Sequence, residues 1–473
     1  MISKLLHEKK YDAGRKVHQY YRDVLSQNYQ LPELGSLSHQ WISKILSSGD
    51  YNLLLNIEEI FLKTSYDSKK HKALRLMLMI IFQANLILDI NNQNKSENYN
   101  LPYVYNQSII NTIEKLLQLN VHEGYMITSM QILYRIGEFE IFNYLANKNK
   151  NIVNSSTILL KIRAMIHSYC HEYHTAKSIL NKINEVDKKV IPISILDITC
   201  DYKLSLPSSF IYSDKFLKQP SINKFKWIKE PTDNNQKLNR VFVACDPKYF
   251  FKHVLFLVKS ILYTNKSNLF LHIHIYNLDE KILNEIDSIS KQHPELDISA
   301  SYEMIDEGNL NIRTHYASRR FVALFFLRKL INNNILAIDA DSLFNSTFNI
   351  PNDLQNKSIV SIYPLEVPFW EKIPACFLFL SKSELCLKFL SQIAKLIEAN
   401  LISKNNFWFL DQLVLAISFD AFTENEKKSL GHIDINQVCD TNCDKKSMIW
   451  QLSTDKKNKH RFNEYSKKLS QLI

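Results

Sequence analysis

The spacing of apolar residues changes along the chain near residue 230. Before this point, apolar side chains recur every three or four positions, which is the spacing of helices that bury one face. One such stripe runs from Ile109 to Leu117, with Asn106 or Ser108 placed to cap its start. The most apolar stretch, 73–90, is interrupted by polar residues and predicts a buried helix rather than a membrane span. Residues 1–205 are therefore predicted to be all helical.

The C-terminal half shows a different rhythm. Residues 206–238 are rich in Pro, Asn and Lys, which predicts a linker. From 239 to 473, apolar and β-branched runs such as RVFVACD and LFLHIHIY alternate with helical stretches, which predicts an open, mainly parallel α/β sheet. Ligands bind beyond the carboxyl ends of the strands in such sheets. Asp246 and the pair Asp339 and Asp341 are expected at these ends.

The length and the glycine content limit the possible folds and functions. A chain of 473 residues exceeds the size at which one core keeps growing, so two domains are expected. It contains only seven glycines, and neither GxGxxG nor GxxxxGK[ST] occurs. Since glycine-rich loops cradle phosphates with their main chain, the common nucleotide-binding loops are excluded.

The cysteines and the first residues bear on the cellular compartment. Seven cysteines, an odd number, are scattered through a chain whose first residues lack the apolar core of a signal peptide. We therefore expect reduced thiols and a cytoplasmic protein. Cys439 and Cys443 have the spacing of half a zinc site, but no second pair completes it, so we do not expect zinc there.

The net charge of +10 is concentrated near the C-terminus, where eight basic residues lie between Lys445 and Lys468. Such a run forms a solvated face in most proteins, and the alternative is a basic flap over phosphates. No stacking aromatics are interleaved with it and no nucleic-acid docking motif is matched, so a nucleic-acid partner is not expected.

The clearest candidate chemistry is the Asp-x-Asp in LAIDADSLF, formed by Asp339 and Asp341. Alternate residues of an extended chain point to the same side, so the two carboxylates would lie side by side and need a positive partner. A capped turn would need only one acid, with Ser342 as a rival cap. The acid pair of a glycoside hydrolase normally comes from separate strands. Binding of Mg²⁺ or Mn²⁺ by hard oxygen ligands fits best.

Two segments of the N-terminal half resemble each other. Placing Gly137-Glu138-Phe139 on His171-Glu172-Tyr173 gives a period of 34 residues, which is the length of a tetratricopeptide unit. A tetratricopeptide-like array is predicted, with an unrelated helical bundle as the alternative. Stacked helical repeats leave a concave surface that can hold a peptide or another partner.

The second half resembles nucleotide-sugar glycosyltransferases of the GT-A fold, and more narrowly glycosyltransferase family 8. The resemblance covers about residues 240–460 and rests on four motifs in the family's order: VACDPKYF, KSILYTN, the arginine-bearing ASRRF before AIDAD, and WFLDQLVLAI. It implies a Rossmann-like GT-A domain over residues 239–473 behind the helical domain, giving an α plus α/β protein.

The resemblance also implies roles for single residues. Asp339 and Asp341 would bind the Mn²⁺ or Mg²⁺ that bridges the donor diphosphate. The other implied contacts are to the base (Asp246, Tyr249 and the main chain near Ala244), to phosphate or the first aspartate (Arg320), to phosphate (Lys457) and to the sugar at its anomeric carbon (Asp411 and Gln412).

The chain departs from the family pattern at several positions. Gln451 stands where the family has a metal-binding His, and Thr454 where it has a Gly, so the third metal ligand is open, with His460 a candidate by proximity alone. Ala375 and Cys376 replace the family's Asn-Ala/Ser-Gly strand, which leaves the sugar undefined.

The function predicted from the sequence is metal-dependent transfer of a sugar from a nucleoside diphosphate sugar, a UDP-sugar in the first place, to a hydroxyl of a glycan, lipid-linked glycan or protein. The helical half could present this acceptor or mediate self-association, and peripheral membrane association is open. Two alternatives are an inactive scaffold and a sugar-1-phosphate nucleotidyltransferase, although the latter usually carries a glycine-rich loop after the first strand.

Overall fold

The computed structural model describes Leu25 and residues 69–93, 103–119, 122–188, 193–205, 220, 225–231, 239–265, 269–305, 311–363, 367–403, 406–452 and 459–472. The chain divides into two compact units, Met1–Leu204 with Glu366–Pro368, and Ser205–Leu365 with Phe369–Ile473.

The described part of the first unit is helical. Its helices are α1 (Lys69–Gln93), α2 (Tyr103–Gln118), α3 (Glu123–Ile136), α4 (Phe139–Lys148), α5 (Lys150–Ser155), α6 (Thr157–Tyr169), α7 (Tyr173–Leu180), α8 (Glu185–Lys188) and α9 (Ile193–Leu204).

The helix pairs α3–α4 and α6–α7 have the same construction. Their first helices begin at Glu123 and Thr157, and the turns between the helices contain Gly137 with φ 86° and His171 with φ 59°. In both turns the amide of the next residue donates to the carbonyl five positions earlier, at 2.8 and 2.9 Å. This bond satisfies a carbonyl that the ending helix leaves unpaired. The two segments that match in sequence therefore form the same helical turn, while their assignment to the tetratricopeptide class remains a prediction.

Two other expectations for this unit have different outcomes. The apolar stretch 73–90 lies within α1, and Ala73, Met77, Ile80 and Ile81 are buried there. No helix among the described residues is long and apolar enough to cross a membrane. The predicted cap of α2 is wrong, because this helix begins at Tyr103 and continues through Asn106 and Ser108.

The second unit is built on a mixed sheet of eight strands in the order β1-β4-β3-β2-β5-β8-β7-β9. The pairs β4–β3, β3–β2, β2–β5 and β7–β9 are parallel, whereas β1–β4, β5–β8 and β7–β8 are antiparallel. A second, antiparallel sheet joins β6 to β10. The strands are β1 (Lys226–Lys229), β2 (Asn239–Cys245), β3 (Leu269–Tyr276), β4 (Ile298–Glu303), β5 (Asn334–Ile338), β6 (Ser342–Phe344), β7 (Ile359–Ile362), β8 (Phe377–Leu380), β9 (Leu430–Ile433) and β10 (Ile449–Gln451).

Helices connect the strands. After β2, a helical turn (Pro247–Tyr249) and a π-helical turn (Phe250–Val254) lead into α10 (Leu255–Thr264). The other helices are α11 (Glu280–Gln292), α12 (Ile312–Leu330), α13 (Glu384–Ile402), α14 (Leu410–Asp420), α15 (Glu424–Lys427), α16 (Ile435–Val438) and α17 (Lys459–Leu472), with 3₁₀ turns at Asn352–Leu354 and Phe369–Glu371.

Every residue of β3 is buried, including two histidines. His272 bonds through its two ring nitrogens to the hydroxyls of Ser299 (2.8 Å) and Ser301 (2.9 Å), and His274 Nδ1 lies 2.9 Å from Ser301 Oγ. Buried Arg240 donates to Ser299 Oγ at 2.8 Å. We call these five residues the histidine ladder. Its hydrogen bonds pair most of its buried polar atoms, which would be costly to bury alone, whereas His274 Nε2 has no hydrogen-bond partner among the described residues.

Cysteine chemistry is simple in the structure. None of the seven cysteines, all of which the structure describes, forms a disulfide. Cys439 and Cys443 are both buried, and neither belongs to a potential metal cluster in the described part of the chain.

Candidate functional site

The carboxyl ends of β2 and β5 lie at the same edge of the sheet because these strands are parallel neighbours. Asp246 follows β2, and its Oδ1 accepts a hydrogen bond of 2.7 Å from the amide of Tyr249. Pro247 occupies the first helical position, where a missing N–H costs nothing. The Tyr249 ring is left 42% exposed, with its centre 4.7 Å from the His253 ring. Asp246 therefore orients the aromatic residue expected to contact a base.

The two acids of the Asp-x-Asp lie in a turn rather than in a strand. β5 ends at Ile338, and the chain turns through Asp339 and Asp341 into β6. The Ser342 amide donates to the Asp339 carbonyl at 3.2 Å, and the Leu452 amide donates to the Asp341 carbonyl at 3.3 Å. The extended geometry predicted for this segment is wrong, because the strand pairing with β2 ends before the first acid.

Asp339 is held between two side chains from distant parts of the second unit. Arg320, on α12, pairs with Oδ1 through its Nη1. Gln451, the last residue of β10, donates from Nε2 to Oδ2 at 2.6 Å. Both carboxylate oxygens of Asp339 are therefore engaged within the protein.

Arg320 also connects Asp339 to the start of α14. Its Nη2 lies 3.4 Å from Asp411 Oδ2 and donates to the Ala375 carbonyl at 3.0 Å. Burial alone would lower the pKa of Arg320, but Asp339 and Asp411 raise it above its usual value. The guanidinium thus stays charged where two carboxylates converge.

Negative charge exceeds positive charge at this point of the structure. If ionised, Asp339, Asp341 and Asp411 carry three charges against one on Arg320. Burial, followed by the charge of Asp339, raises the pKa of Asp341 to about 7. Burial also raises the pKa of Asp411, although Arg320 opposes this. The cluster would gain from a further cation.

The donor set fits a hard divalent cation in part. Asp339 and Asp341 supply the carboxylate oxygens that Mg²⁺ and Mn²⁺ prefer. Among the residues that the structure describes, no group of three or more His, Cys, Asp or Glu side chains is placed to hold a metal ion. A cation here would therefore complete its coordination with ligands from outside this set.

Arg319, the neighbour of Arg320, points into a different environment. Its side chain is 3% exposed, donates to Glu303 at 2.9 and 3.0 Å, and also pairs with Glu398. Arg319 and Arg320 therefore do not form the surface pair that two adjacent helix arginines suggest.

A cavity of about 800 Å³ lies beside Asp341. Its lining includes Lys252 and Phe256 near the start of α10, and His460 and Lys467 on α17. His460 is mostly exposed, and its Nδ1 lies 3.5 Å from Glu464 Oε2. His460 thus shares a cavity with Asp341, but its own described partner is a carboxylate on the same helix.

The loop CDTNCDKKS before β10 has an internal framework that sequence reasoning missed. The Asp440 carboxylate accepts from the amides of Asn442 and Asp444 and from the Ser447 hydroxyl. The main-chain N–H of Gln451 donates to the main-chain carbonyl of Asp440 at 3.0 Å. Asp440 therefore helps to fix the strand that carries Gln451, and the Asp-x-Asn pattern that favours such turns was the available signal.

Cys376 follows Ala375, whose carbonyl accepts from Arg320, and therefore lies next to the site. The carbonyl of Cys376 accepts a weak hydrogen bond of 3.7 Å from Cys439 Sγ. Burial raises the pKa of Cys439 well above its usual value, and Cys376 and the site acids add to this effect. The Cys439 thiol is therefore protonated and a poor metal ligand.

The predicted site residues differ in how far the structure brings them together. Arg320, Asp339 and Asp411 are in contact. Burial, followed by the charges of Asp341, Asp246 and Asp339, raises the pKa of Tyr249. Tyr249 therefore lies within electrostatic range of these three acids. The main-chain N–H of Gln412 donates to Asp411 Oδ1 at 2.9 Å. Ala244 is half-buried in β2. Lys457 and Thr454 lie outside the described residues. The structure also adds the carbonyl of Ala375 and the hydrogen bond from Gln451 to Asp339.

Several solved structures resemble part of the chain, and three of them are described here, all glycosyltransferases. The glycosyltransferase GlyE of Streptococcus pneumoniae TIGR4 has 14% identity and a TM-score of 0.34, over 49% of this chain and 60% of GlyE. The galactosyltransferase LgtC, solved with donor and acceptor sugar analogs, has 13% identity and a TM-score of 0.33, over 49% of this chain and 96% of LgtC. The bifunctional glycosyltransferase WbbM has 11% identity and a TM-score of 0.32, over 65% of both chains.

No protein-family model and no curated protein matches the chain.

Proposed function

We propose that the second unit is a metal-dependent glycosyltransferase of the GT-A type, related to family 8. It moves a sugar from a nucleoside diphosphate sugar to the hydroxyl of a glycan, lipid-linked glycan or protein. UDP-sugars are the first donors to test. A tetratricopeptide-like first unit would present the acceptor or mediate self-association.

The observation that carries this proposal is the position of Arg320 between Asp339 and Asp411. These residues come from α12, the turn after β5 and the first turn of α14, and the sequence gives no local reason for them to meet. Their meeting point is the carboxyl edge of parallel strands, where open α/β sheets bind ligands. A single positive group between carboxylates suits a site where phosphate charge and a sugar meet.

Each residue would contribute in a way that its environment allows. The exposed ring of Tyr249 would stack on the base, with Asp246 holding the turn that presents it. Asp339 and Asp341 would hold the divalent cation, which stabilises charge on the departing diphosphate. Arg320 would orient Asp339 and Asp411, and Asp411 with Gln412 would lie along the sugar. Lys457 would add a positive charge on the phosphate side.

The second candidate function is an inactive scaffold. Gln451 favours it, because an amide whose Nε2 donates to Asp339 replaces a residue that binds metal in the family. A nucleotidyltransferase is less well supported, because β2 is followed by DPKYF rather than by a glycine-rich loop.

Hydrolysis of UDP-glucose, UDP-galactose and related donors with Mn²⁺ tests the proposal. Asp341→Asn keeps the shape of the side chain but removes the charge that would hold the cation. We expect turnover to fall by about 10²–10³-fold, as it does when one group that stabilises transition-state charge is lost.

Asp287→Asn, an exposed position on α11, is the matched control and should leave turnover unchanged. Unchanged turnover in Asp341→Asn would contradict the assigned site. Absence of turnover by the unmodified protein with every donor would favour the scaffold.

A further inference from the structure

The carboxylate pair has fewer free oxygens than its sequence suggests. Asp339 gives Oδ1 to Arg320 and Oδ2 to Gln451 Nε2, the latter at 2.6 Å. Each bond to a charged acceptor occupies a lone pair and fixes the orientation of the carboxylate. The carboxylate of Asp341, by contrast, accepts a hydrogen bond from its own main-chain amide, and among the described residues no other side chain donates to it. A cation that approaches the turn therefore meets the Asp339 carboxylate, which is already bonded to two side chains, and the Asp341 carboxylate, which is not.

The charge on Asp339 is also partly offset before any cation arrives, because the Arg320 guanidinium, which it shares with Asp411, contacts it. A divalent ion that binds this carboxylate gains less electrostatic energy than it would from an unpaired one, and it must compete with an N–H donor for Oδ2. Within the described residues, no third acidic, histidine or cysteine side chain completes a metal cluster with the pair.

We propose that Gln451 keeps the carboxylate pair from holding a divalent cation on its own, so that the cation and the donor diphosphate bind as one unit. This inference rests on the proposed function. Diphosphate oxygens would supply the ligands that the protein lacks, in keeping with the preference of Mg²⁺ for one or two carboxylates plus substrate phosphates. Gln451 is then a positioning residue that acts through Asp339.

Such an arrangement couples the two ligands. If the cation needs the diphosphate for its coordination, the bound nucleotide raises the affinity of the protein for the cation. The bound cation then raises the affinity for the nucleotide by the same factor. The site would then bind a complete metal–nucleotide complex and would bind either component poorly. Gln451 would set the size of this coupling, because it controls access to Asp339 Oδ2.

The test measures Mn²⁺ binding directly, from the loss of the electron paramagnetic resonance signal of free aqueous Mn²⁺, and needs no turnover. The full chain is titrated with Mn²⁺ alone, then with saturating UDP, and then with saturating GDP. We expect the apparent Kd for Mn²⁺ to fall by about 5- to 150-fold with at least one nucleotide, the usual range of coupling between two ligands.

Two substitutions identify the role of Gln451. Gln451→Ala frees Asp339 Oδ2 and should tighten binding of Mn²⁺ alone severalfold. Gln451→His also adds a nitrogen ligand and should tighten it by about tenfold or more, the usual scale for residues that orient metal ligands. Gln292→His adds an imidazole at the exposed end of α11 and should change nothing. Circular dichroism checks that each variant is folded.

The possible failures are distinguishable. If the unmodified protein binds Mn²⁺ equally well with and without nucleotide, the inference fails and the proposed function stands. If Gln451→Ala weakens Mn²⁺ binding, the amide is itself a ligand and the inference fails in another way. If the unmodified protein binds Mn²⁺ neither alone nor with either nucleotide, and Gln451→His does not restore binding, the proposed function fails together with the inference.

Discussion

Two neighbouring arginines on α12 lie in clusters that differ in burial and in charge. The Arg319 cluster, formed by Arg319, Glu303 and Glu398, has side-chain exposures of 3%, 4% and 12%. The Arg320 cluster, formed by Arg320, Asp339 and Asp411, has exposures of 15%, 26% and 10%. The first is closed to solvent, while the second keeps an open side at Asp339.

The two clusters also differ in what completes them. Both pair one guanidinium with two carboxylates, but Asp341 adds a third acid beside the Arg320 cluster. The closed cluster joins β4, α12 and α13, and its three side chains are at most 12% exposed. The open one has unbalanced charge at the edge where ligands bind. Burial and unbalanced charge, rather than the residue types, separate a structural ion pair from a candidate site.

The largest effect is expected from Arg319→Met. This change leaves Glu303 and Glu398 buried without their cation, and breaking a buried pair in this way costs about 3–5 kcal/mol of unfolding free energy. Urea unfolding followed by circular dichroism measures it. Arg320→Met is the matched variant, and it should cost less, about 1–3 kcal/mol, because Asp339 keeps Gln451 and access to water.

Activity should show the reverse order. Arg320→Met should abolish most donor hydrolysis, whereas the Arg319 variant should retain it at temperatures where it remains folded. Equal losses of stability in the two variants would remove the distinction between closed and open clusters.

The histidine ladder allows a second test of closed clusters, this time by pH. Burial, followed by Arg319, lowers the pKa of His274 to about 3, below the value of about 6.5 expected in the unfolded chain. The unfolded state therefore binds the proton more readily. Stability should be complete above about pH 6.5 and should fall as the pH drops toward 3, by about 2 kcal/mol for this group at pH 5.

Unfolding midpoints between pH 7 and pH 5 measure this dependence. His274→Gln should reduce its slope, and His293→Gln, at a partly exposed position after α11, should not. A slope that His274→Gln leaves unchanged would show that His274 is not the group that titrates.

The smallest effect belongs to the open side of the comparison. Tyr249→Leu removes the ring proposed to stack on the base, which is worth about 1 kcal/mol, and should raise the KM for the donor about fivefold with little change in kcat. Stability should hardly change, because the ring is 42% exposed. A fall in kcat without a change in KM would instead place Tyr249 nearer the reacting atoms.

Local sequence patterns predicted the helices, strands and turns of this protein better than they predicted which side chains meet. The runs beginning at Arg240 and Leu269 form β2 and β3 because apolar, β-branched sequences favour buried strands. The turns at Gly137 and His171 have the same geometry, because the two similar sequences each place one residue in the left-handed backbone conformation. Asn106 and Ser108 were wrong as caps, since a capping preference is weak against the continuation of a helix.

The site depended on information that no local pattern contains. The Asp-x-Asp was found from its spacing, but its turn geometry follows from where the pairing with β2 stops. The contacts around Asp339 join residues up to 112 positions apart. No local pattern near Gln451 predicts its partner, and only the resemblance to family 8 placed Gln451 at a metal-ligand position. The opposite orientations of Arg319 and Arg320 are likewise set by the elements packed around α12. The domain limits, family 8 membership and the individual site roles remain predictions.

The short pairing of β10 with β6 determines which residue of β10 lies beside the acidic turn. Three residue pairs fix the register, and Gln451 faces Ser342, the residue that follows the acidic turn. Side chains alternate between the faces of a strand, so a slip of one position would turn the amide away and present Trp450 or Leu452 in its place. The identity of the group that touches Asp339 is therefore set by strand alignment as much as by the residue at position 451.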